Sequence, residues 1–369
     1  MSRTVRRATI KDIAVRIGVS HSTVSRALRG DSSISAETTE RVHRAAREAG
    51  YRPNIMARGL IHRRSSLIGI VTSNIRGSFF PDIIDGAQRV LDRHQYSILL
   101  CCSNKSLAAE RSHLELLIDK QVEGIIILPI TTCGANGRVM KQAQQLGIPM
   151  VLVGTPKKGV QAPHIYSDNE LGGYLATRHL IELGHRRIVY LTYSTEDLLS
   201  SRHLYGLENF QRYQGYRRAL RESKLEKEAN ALEVDPDGRE MEPLRSSLES
   251  RNAPTALFAY SDILAASAMH SLFSWGYTVP RDLSVVGFDD VDFASRLSPP
   301  LSTVAQPKVE MGQYAAKKIL NLVEGIPEDS LVCTPELRLR GSSSPLQTRQ
   351  FAETDQRLSH SDSPSTVTT

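Results

Sequence analysis

The chain has 369 residues, of which 40% are hydrophobic and 23% are charged. This composition is ordinary for a globular protein of two or three domains and excludes a disordered or fibrous chain. Apolar runs such as Gly124–Leu128 are far shorter than the roughly 20 residues of a membrane-spanning helix, so we expect no membrane partner. The N-terminal residues are charged and lead into no apolar signal segment, so we expect a cytoplasmic protein.

Positive charge is concentrated near the N-terminus. Residues 1–64 contain 14 Lys and Arg against 5 Asp and Glu, a balance of +9, whereas residues 65–369 carry a balance of −3. A small basic segment on a near-neutral body is typical of a protein that binds a polyanion, most simply nucleic acid. Charge alone leaves open the alternative of a basic face that is only solvated.

Residues 1–53 predict three short helices. A capping-box pattern at Thr9 begins the first helix, Ser20 is the N-cap of the second, and Ser35 is the N-cap of the third. Gly18 stands where a three-residue turn between the first two helices passes through left-handed backbone space. This arrangement indicates a small all-α headpiece with a helix-turn-helix, the motif that places its second helix in the DNA major groove.

The second helix should present its N-terminal residues to DNA. Arg26 can donate two hydrogen bonds to guanine, the most frequent specific contact in the major groove. The exposed residues are predicted to be His21, Ser22, Ser25 and Arg26. Of these, His21 and Ser22 can contact either bases or phosphates. We predict phosphate contacts, which position the protein without reading sequence, from Thr9, Ser20, Thr23 and Arg29. Residues 54–66 are predicted to form a short helix, capped by Asn54 and reaching about Leu60, and then a linker.

From Leu67 onward the pattern changes to alternating strands and helices. Apolar runs predict strands at 68–72, 97–101, 124–128, 148–153, 163–167, 187–191, 255–260 and 283–287, followed by a crossover near 302–306, a helix near 308–323 and a strand near 331–340. Repeated β-α units imply an α/β body with parallel sheets covered by helices on both faces. About 275 residues exceed one open sheet, so we predict two doubly wound lobes, with an eight-stranded barrel as the competing fold.

The chain order suggests how the lobes are divided. We place the N-lobe at about 67–167 and 306–323 and the C-lobe at about 168–305 and 324–341. Residues 342–369 contain 12 Ser or Thr among 28 residues and show no apolar periodicity, so we predict a disordered tail.

In sheets of this kind a ligand binds at the carboxyl ends of the strands. The polar and aromatic residues expected there are Ser73, Asn74, Phe79, Phe80, Asp168, Asn169, Arg212, Asp289 and Gln306. A carboxylate facing a guanidinium, with an aromatic ring nearby, suits a polyhydroxylated ring. Each residue also has an ordinary structural alternative: Asp289 as a turn cap, Arg212 in a surface ion pair, and Phe79 in the core.

The chain offers little for catalysis or metal binding. The four cysteines have no C-x-x-C spacing, and reduced buried thiols fit them better than disulfides or zinc ligands. No nucleophile elbow, P-loop, H-E-x-x-H or dinucleotide-binding fingerprint occurs. His179 and His185 lie at a helix end with no carboxylate in ligand spacing, which favours a structural role. We expect no enzyme activity, no cofactor and no metal.

Several motifs resemble the headpiece of LacI/GalR-family transcription repressors: Ala8–Ala14, Gly18–Ser20, Thr23–Arg26, and Tyr51–Asn54 with Ala57 and Leu60. The resemblance continues to about residue 341. It implies that residues 54–60 form a hinge helix only on operator DNA, with Asn54, Ala57 and Leu60 at the DNA. The leucine would wedge into the central base step of the minor groove, which bends DNA around the protein.

The resemblance further implies a homodimer on a palindromic operator, controlled by an effector bound between two lobes like those of periplasmic sugar-binding proteins. Arg212 and Asp289 match the main ligand contacts of the family. Ser261 stands where the family usually has a ligand-binding Asn, within Tyr260–Asp262 in place of Ala-Asn-Asp. The stretch 192–211 is longer than usual, as either a lid or an idle loop.

A sugar or sugar derivative is the expected effector, although a purine-like ligand also fits two adjacent phenylalanines. Two alternatives remain: a cytoplasmic sugar-binding protein, and an architectural DNA-binding protein without regulatory coupling. A sugar-binding transport protein would carry a signal segment and no basic headpiece. An architectural protein would need no ligand pocket.

Overall fold

The computed structural model describes residues 8–51, 65–75, 79–128, 137–154, 160–194, 206–235 and 241–346. The chain divides at Leu67 into two compact units, an N-terminal headpiece and a larger body. In the described part of the chain, no helix combines the length and apolarity that a membrane crossing requires.

The headpiece contains the three predicted helices, α1 (Ile10–Ile17), α2 (His21–Ala27) and α3 (Ala36–Glu48). The turn after α1 passes through Gly18, whose φ of 69° is the left-handed conformation that glycine adopts without strain. One small core holds the helices together, formed by Ile13, Ala14, Val24, Ala27, Val42, Ala45 and Ala46. Small residues at this core let α1 and α2 approach closely, which is what the helix-turn-helix pattern predicted.

The N-lobe of the body is built on a six-stranded sheet in the order β11-β5-β4-β3-β1-β2. Its strands are β1 (Leu67–Thr72), β2 (Ser97–Cys102), β3 (Gly124–Leu128), β4 (Met150–Val153), β5 (His164–Ser167) and β11 (Leu331–Cys333). Its helices are α4 (Phe79–Arg93), α5 (Leu107–Asp119), α6 (Gly137–Gln145) and α11 (Lys308–Val323). The pairings of β1 with β3, β3 with β4, β4 with β5 and β5 with β11 are parallel.

The C-lobe is built on a second six-stranded sheet in the order β12-β10-β9-β8-β6-β7. Its strands are β6 (Ile188–Thr192), β7 (Asn230–Glu233), β8 (Ala256–Ala259), β9 (Ser284–Asp289), β10 (Ser302–Ala305) and β12 (Glu336–Arg338). Its helices are α7 (Asn169–Glu182), α8 (Gly206–Glu222), α9 (Glu242–Leu248) and α10 (Asp262–Ser274). All pairings are parallel except that β12 runs antiparallel to β10. Two separate open sheets exclude the single barrel.

The chain crosses between the lobes three times, after β5, after β10 and after β11. Two predictions are wrong at the last crossing. The single strand predicted near 331–340 is two strands, and residues 324–341 do not all belong to the C-lobe, because β11 lies in the N-lobe sheet and only β12 lies in the C-lobe sheet. Pro335 lies between them, and proline has no N–H to continue a ladder. The sequence also missed β7, a half-exposed edge strand without an apolar run.

The prediction of a disordered tail is wrong for residues 342–346. The Ser342 carbonyl accepts a hydrogen bond from the Val285 N–H (2.7 Å), and its hydroxyl accepts one from the Ser302 N–H (2.7 Å). Ser343 contacts the His179 ring, and the Leu346 N–H donates to the Leu183 carbonyl. Serine-rich composition therefore misled here, because these hydroxyls satisfy backbone groups of the C-lobe sheet. Residues 347–369 lie outside the described part.

Helices α7 and α8 meet through glycines. A Cβ atom at Gly173 of α7 would overlap the backbone carbonyl of Arg212, and a Cβ atom at Gly215 of α8 would overlap that of Glu170. The two helix backbones therefore lie in direct contact, and α7 fixes the position of the α8 turn that carries Arg212.

We predict that Gly173→Ala lowers the free energy of unfolding by about 1–3 kcal/mol, because the added methyl must push α8 away from α7. Urea denaturation followed by circular dichroism measures this change. The control is Gly137→Ala at the start of α6, where a Cβ meets nothing within 4 Å and we expect a change of less than about 0.5 kcal/mol. Equal effects of the two substitutions would contradict the close helix contact.

Candidate DNA-binding and effector-binding sites

Two of the predicted phosphate contacts are helix caps in the headpiece. Thr9 forms a capping box with Asp12: its backbone N–H donates to the Asp12 carboxylate (2.7 Å), and its hydroxyl accepts from the Asp12 N–H. The Ser20 hydroxyl accepts a hydrogen bond from the Thr23 N–H (3.0 Å) at the start of α2. These bonds set the N-terminus of each helix, and the phosphate contacts remain predictions.

The surface of α2 presents the remaining candidates. His21, Ser22, Arg26 and the following Arg29 are exposed, whereas Thr23 and Ser25 are half-buried. Neither guanidinium group makes a hydrogen bond or an ion pair within 4 Å with a described residue. Their charges help to lower the pKa of Asp31, after the hydrogen bonds from Ser33. Two open guanidinium groups on one short helix end are suited to a polyanion. Asn54, Ala57 and Leu60 lie outside the described residues.

In the C-lobe, Arg212 of α8 is the centre of a buried polar cluster. Its Nε donates to Asn169 Oδ1 (2.9 Å), its Nη1 to the Tyr260 carbonyl (2.6 Å), and its Nη2 lies 3.3 Å from Asp289 Oδ1. Gln306 Nε2 donates to the same Asp289 oxygen (2.8 Å). Asn169 begins α7, Tyr260 follows β8, Asp289 ends β9 and Gln306 follows β10. The cluster therefore sits at the carboxyl edge of the C-lobe sheet.

Two aromatic rings lie against this guanidinium. The Phe288 ring centroid lies 3.6 Å from the Arg212 Cζ atom, and the Tyr260 ring centroid lies 4.7 Å away. Stacked rings shield the faces of the cation while leaving its N–H edge free to donate. Three of the five N–H donors of Arg212 are bonded to described residues. One N–H on Nη1 and one on Nη2 remain for a ligand.

Asp289 reaches the cluster through an unusual backbone. Its φ is 108° and that of Asp290 is 50°, both in the region that favours glycine. Burial raises the pKa of Asp289, and Arg212 and Gln306 oppose this effect. The strained turn is held in place because both residues have strong partners: Arg212 for Asp289, and Arg340 Nη2 at 2.6 Å for Asp290.

A second buried carboxylate supports this turn from below. Asp262, the first residue of α10, is fully buried and accepts hydrogen bonds from the Val291 N–H (2.8 Å) and from the Thr303 hydroxyl. Burial, and then the negative charge of Asp289, raise the pKa of Asp262 to about 8. Asp262 thus joins the start of α10, the segment after β9 and strand β10 in one network.

Comparison with known proteins follows this division of the chain. A family model of bacterial regulatory proteins, the lacI family, matches residues 9–54, and a periplasmic binding protein-like domain matches residues 177–343. The ribose operon repressor of Haemophilus influenzae is 32% identical over 340 residues, which cover 91% of this chain and 98% of that protein. The chain belongs to the LacI family.

Other LacI-family proteins support the same assignment. The transcriptional repressor CytR of Escherichia coli is 31% identical over 92% of this chain and 97% of its own length. The Lac repressor dimer bound to operator and the anti-inducer ONPF superimposes with a TM-score of 0.79 at 26% identity, covering 92% of this chain and all of that chain. The CelR–cellobiose complex matches with a TM-score of 0.64 at 29% identity, covering 91% of this chain and all of its own. The headpiece-plus-two-lobe architecture is confirmed.

Within this LacI-family body, the structure brings together four of the predicted effector residues: Asn169, Arg212, Asp289 and Gln306. Two others are helix caps, as Asp168 accepts from the Leu171 N–H (2.9 Å) and Ser261 from the Leu264 N–H (3.3 Å). A cap uses one acceptor site of its oxygen, so an effector contact from these residues stays a prediction.

The N-lobe candidates lie on the other sheet. Phe79 and Phe80 form an edge-to-face pair with centroids 5.2 Å apart at the start of α4, and both rings pack partly on the N-lobe core. Ser73 and Asn74 follow β1 in a turn, where the Ser73 carbonyl accepts from the Lys105 N–H and the Asn74 N–H donates to the Thr72 hydroxyl. No described contact links Ser73, Phe79 or Phe80 to the Arg212 cluster.

Several residues of the site were missed by sequence reasoning. Phe288 and the Tyr260 ring looked like ordinary strand residues, although Tyr260 was already notable as a departure from the family pattern. Asp262 carried no role, and neither did Lys308, whose Nζ lies 3.0 Å from Asp82 Oδ2. The middle of the long 192–211 stretch, which contains Arg202, His203 and Tyr205 and was considered above as a lid or an idle loop, lies outside the described residues.

We predict that Asp262→Asn flattens the pH dependence of stability. The pKa of this carboxyl is about 8 when folded and ordinarily 3.8, so it favours the folded state while protonated, and that contribution is lost as pH rises from about 4 to 8. The free energy of unfolding should fall more steeply for the natural chain than for the variant, by up to about 1.4 kcal/mol per pH unit.

Urea denaturation at pH 6, 7 and 8 measures this difference. His179 and His185, whose pKa values are lowered by burial, are present in both proteins and change stability only below about pH 6.5, so they do not confuse the comparison. Parallel pH curves for the two proteins would show that Asp262 is already ionised in the fold.

Proposed function

We propose that this protein is a sequence-specific transcriptional repressor whose operator affinity is controlled by a small effector bound between the two lobes. One observation carries the proposal: the headpiece offers open guanidinium groups on α2, while the body buries an Arg–Asp–Gln–Asn cluster at the carboxyl edge of its C-lobe sheet. The first arrangement suits a polyanion in water, and the second suits a small polar ligand.

On the DNA side, two copies of the chain bind a palindromic operator. A helix-turn-helix reads only a few base pairs, and a twofold dimer doubles the site and sets the spacing of its halves. The Lac repressor neighbour is described as a dimer bound to operator, which supports a homodimer here. The hinge residues Asn54, Ala57 and Leu60 would then enter the minor groove together with those of the partner.

On the effector side, the cluster favours an uncharged ligand with several hydroxyl groups. Arg212 and Asp289 already neutralise one another, so an anionic ligand would gain no net charge attraction from the pair. Two remaining N–H groups of Arg212 and the carboxylate of Asp289 are the donors and acceptor that vicinal hydroxyls need. A ribose operon repressor and a cellobiose complex among the relatives point the same way. We therefore propose a sugar or sugar derivative.

The two functions are coupled through the body. Effector binding changes how the N-lobes of the dimer face each other and thereby the separation of the hinge segments. A coupling free energy of about 1–3 kcal/mol changes operator affinity by roughly 5- to 150-fold. The protein acts in the cytoplasm without a cofactor and without catalysing a reaction, since the cluster contains no activated nucleophile and no acid–base pair with a reaction partner.

We predict that the purified chain enriches a palindrome with a central C-G step from a randomised DNA pool at about 0.15 M salt. Arg26→Ala should lose discrimination at one position of each half-site and weaken binding by about 1–3 kcal/mol. Selection followed by sequencing, with fluorescence anisotropy on the enriched site, measures both effects.

The matched control is Arg29→Ala, an equally exposed arginine just beyond the same helix. We expect it to weaken binding to all sequences alike and to reduce the salt dependence by about one phosphate contact. If the natural chain enriches no sequence and is retained only in a salt-sensitive manner, it is an architectural binder and the repressor proposal is wrong.

We predict that Asp289→Asn removes the effector response while the variant still selects the same operator sequence. The substitution keeps the shape of the side chain, cancels the charge that faces Arg212 and replaces one carboxylate oxygen with an NH2 donor, so ring hydroxyls lose a charged acceptor. Operator affinity would be measured with D-ribose, cellobiose or hypoxanthine added, each up to about 10 mM, a ceiling for weak ligands that corresponds to roughly 3 kcal/mol of binding.

The control for this experiment is Asp292→Asn, an exposed carboxylate three residues away that pairs with Arg296. It should respond as the natural chain does. A sugar that changes operator affinity equally in the natural chain and in the Asp289 variant would show that the effector binds elsewhere.

A further inference from the structure

Lys308 is a buried lysine at the point where the chain returns from the C-lobe to the N-lobe. It is the first residue of α11, directly after the crossing from β10, and its side chain is only 7% exposed. Burying an ammonium group is costly unless the group is paired and hydrogen-bonded. The partners of Lys308 therefore show what the fold gains by placing it there.

Those partners lie in different lobes. The ammonium donates to the backbone carbonyl of Asp290, at the end of the C-lobe strand β9 (2.7 Å), and lies 3.0 Å from the carboxylate of Asp82, in the first turn of the N-lobe helix α4. A single side chain thus connects the turn that carries the effector residue Asp289 to the helix that begins with Phe79 and Phe80.

The C-lobe end of this connection is firmly held. Asp290 adopts a positive φ of 50°, and its carboxylate is bound by Arg340, which also donates to the Leu301 carbonyl (2.8 Å). Asp289, one residue earlier, is fixed by Arg212 and Gln306. A change at Asp289 must therefore move the Asp290 carbonyl, because adjacent peptide units share the strained turn.

The N-lobe end is also rigid. A Cβ atom at Gly86 of α4 would overlap the carbonyl of Val309, and one at Gly312 of α11 would overlap the carbonyl of Ile83. The two helix backbones are therefore in contact on both sides of the crossing point. With α4 and α11 packed in this way, the ammonium of Lys308 is held beside Asp82 within the N-lobe, and its bond to the Asp290 carbonyl is the contact that crosses to the C-lobe.

We infer that Lys308 is the positioning residue that links the effector turn at Asp289–Asp290 to the first turns of α4, so that a change in the C-lobe turn is passed to the N-lobe. This inference rests on the proposed function, since it names the contact through which effector occupancy would reach the N-lobe and the dimer. Lys308 also borders the Arg212 cluster, because its backbone N–H donates to the Gln306 carbonyl (2.8 Å) and its charge helps to lower the pKa of Asp289.

Hydrogen–deuterium exchange of the full chain tests the link without operator or effector. The readout is amide exchange in the peptide that covers residues 82–93 of α4. Asp289→Asn serves as the disturbance of the C-lobe turn, and it is introduced both into the natural chain and into the Lys308→Met variant. In the natural chain we expect Asp289→Asn to change α4 exchange by about threefold or more, whereas in the Lys308→Met variant this change should disappear.

Three further variants separate a link from a general loss of stability. Lys318→Met is the matched control. Lys318 lies on the same helix, its side chain is also largely buried (14% exposed, against 7% for Lys308), and it pairs with Glu328. Because this pair lies within the N-lobe, the response to Asp289→Asn should persist in the Lys318→Met variant. Lys308→Arg keeps the charge and should restore the response. If Asp289→Asn destabilises the whole chain, Gln306→Met replaces it as the disturbance, because it removes the hydrogen bond that Gln306 donates to Asp289 in the same turn.

The result that overturns the inference is an α4 response to Asp289→Asn that is absent from the natural chain, or one that persists unchanged in the Lys308→Met variant. Since this measurement uses neither DNA nor ligand, such a result removes only the role of Lys308. Failure to enrich an operator sequence would instead remove the proposed repressor function. Loss of the α4 response in Lys318→Met as well would assign it to the stability of α11 as a whole and would also overturn the inference.

Discussion

The C-lobe depends on one buried cation. Arg212 joins the start of α7, the segment after β8 and the end of β9, although its partners are 43, 48 and 77 residues away along the chain. A buried guanidinium without partners would cost several kcal/mol, so the fold must bring these three segments together. Two other features hold the segments around this cation. The glycine contact fixes α8 against α7, and the buried Asp262 holds the segment after β9 against β10.

The contrast with the headpiece explains how one chain holds two different sites. In the body, Arg212 is buried against two aromatic rings and bonded to Asn169, Tyr260 and Asp289, so a ligand meets its remaining N–H groups and a charge that Asp289 already balances. On α2, Arg26 has no described protein partner and is exposed, so its charge acts over the distance of the solvent screening length. The same side chain therefore recognises a polyanion in one unit and small polar groups in the other.

Much of this organisation could be predicted from the sequence. The alternation of strands and helices placed nearly every element of the body. The strand ends singled out Asn169, Asp289 and Gln306, which the structure brings together around Arg212, because parallel strands deliver their carboxyl ends to one edge. The headpiece was predictable because its capping residues and Gly18 act locally. The family motifs then connected the two parts.

The remaining features depend on contacts between distant residues, which local patterns do not record. Asp168 and Ser261 follow strands, as ligand residues do, but also precede helices, where their oxygens are N-caps. Lys308 follows a proline and looks like a solvated residue, and only the tertiary fold shows that it is buried between lobes. The serines at 342–344 looked disordered because composition does not reveal that the edge of the C-lobe sheet needs hydrogen-bond partners.

The three crossings between lobes have a consequence for how the chain folds. The N-lobe begins at Leu67, yet its helix α11 and its strand β11 come from residues 308–323 and 331–333. During synthesis the N-lobe is therefore started first and completed nearly last, after the whole C-lobe sheet except β12 has left the ribosome. Its apolar core, including Ile68 and Ile70, has to wait for Met311, Ala315 and Ile319, so the unfinished N-lobe exposes an aggregation-prone surface over most of translation.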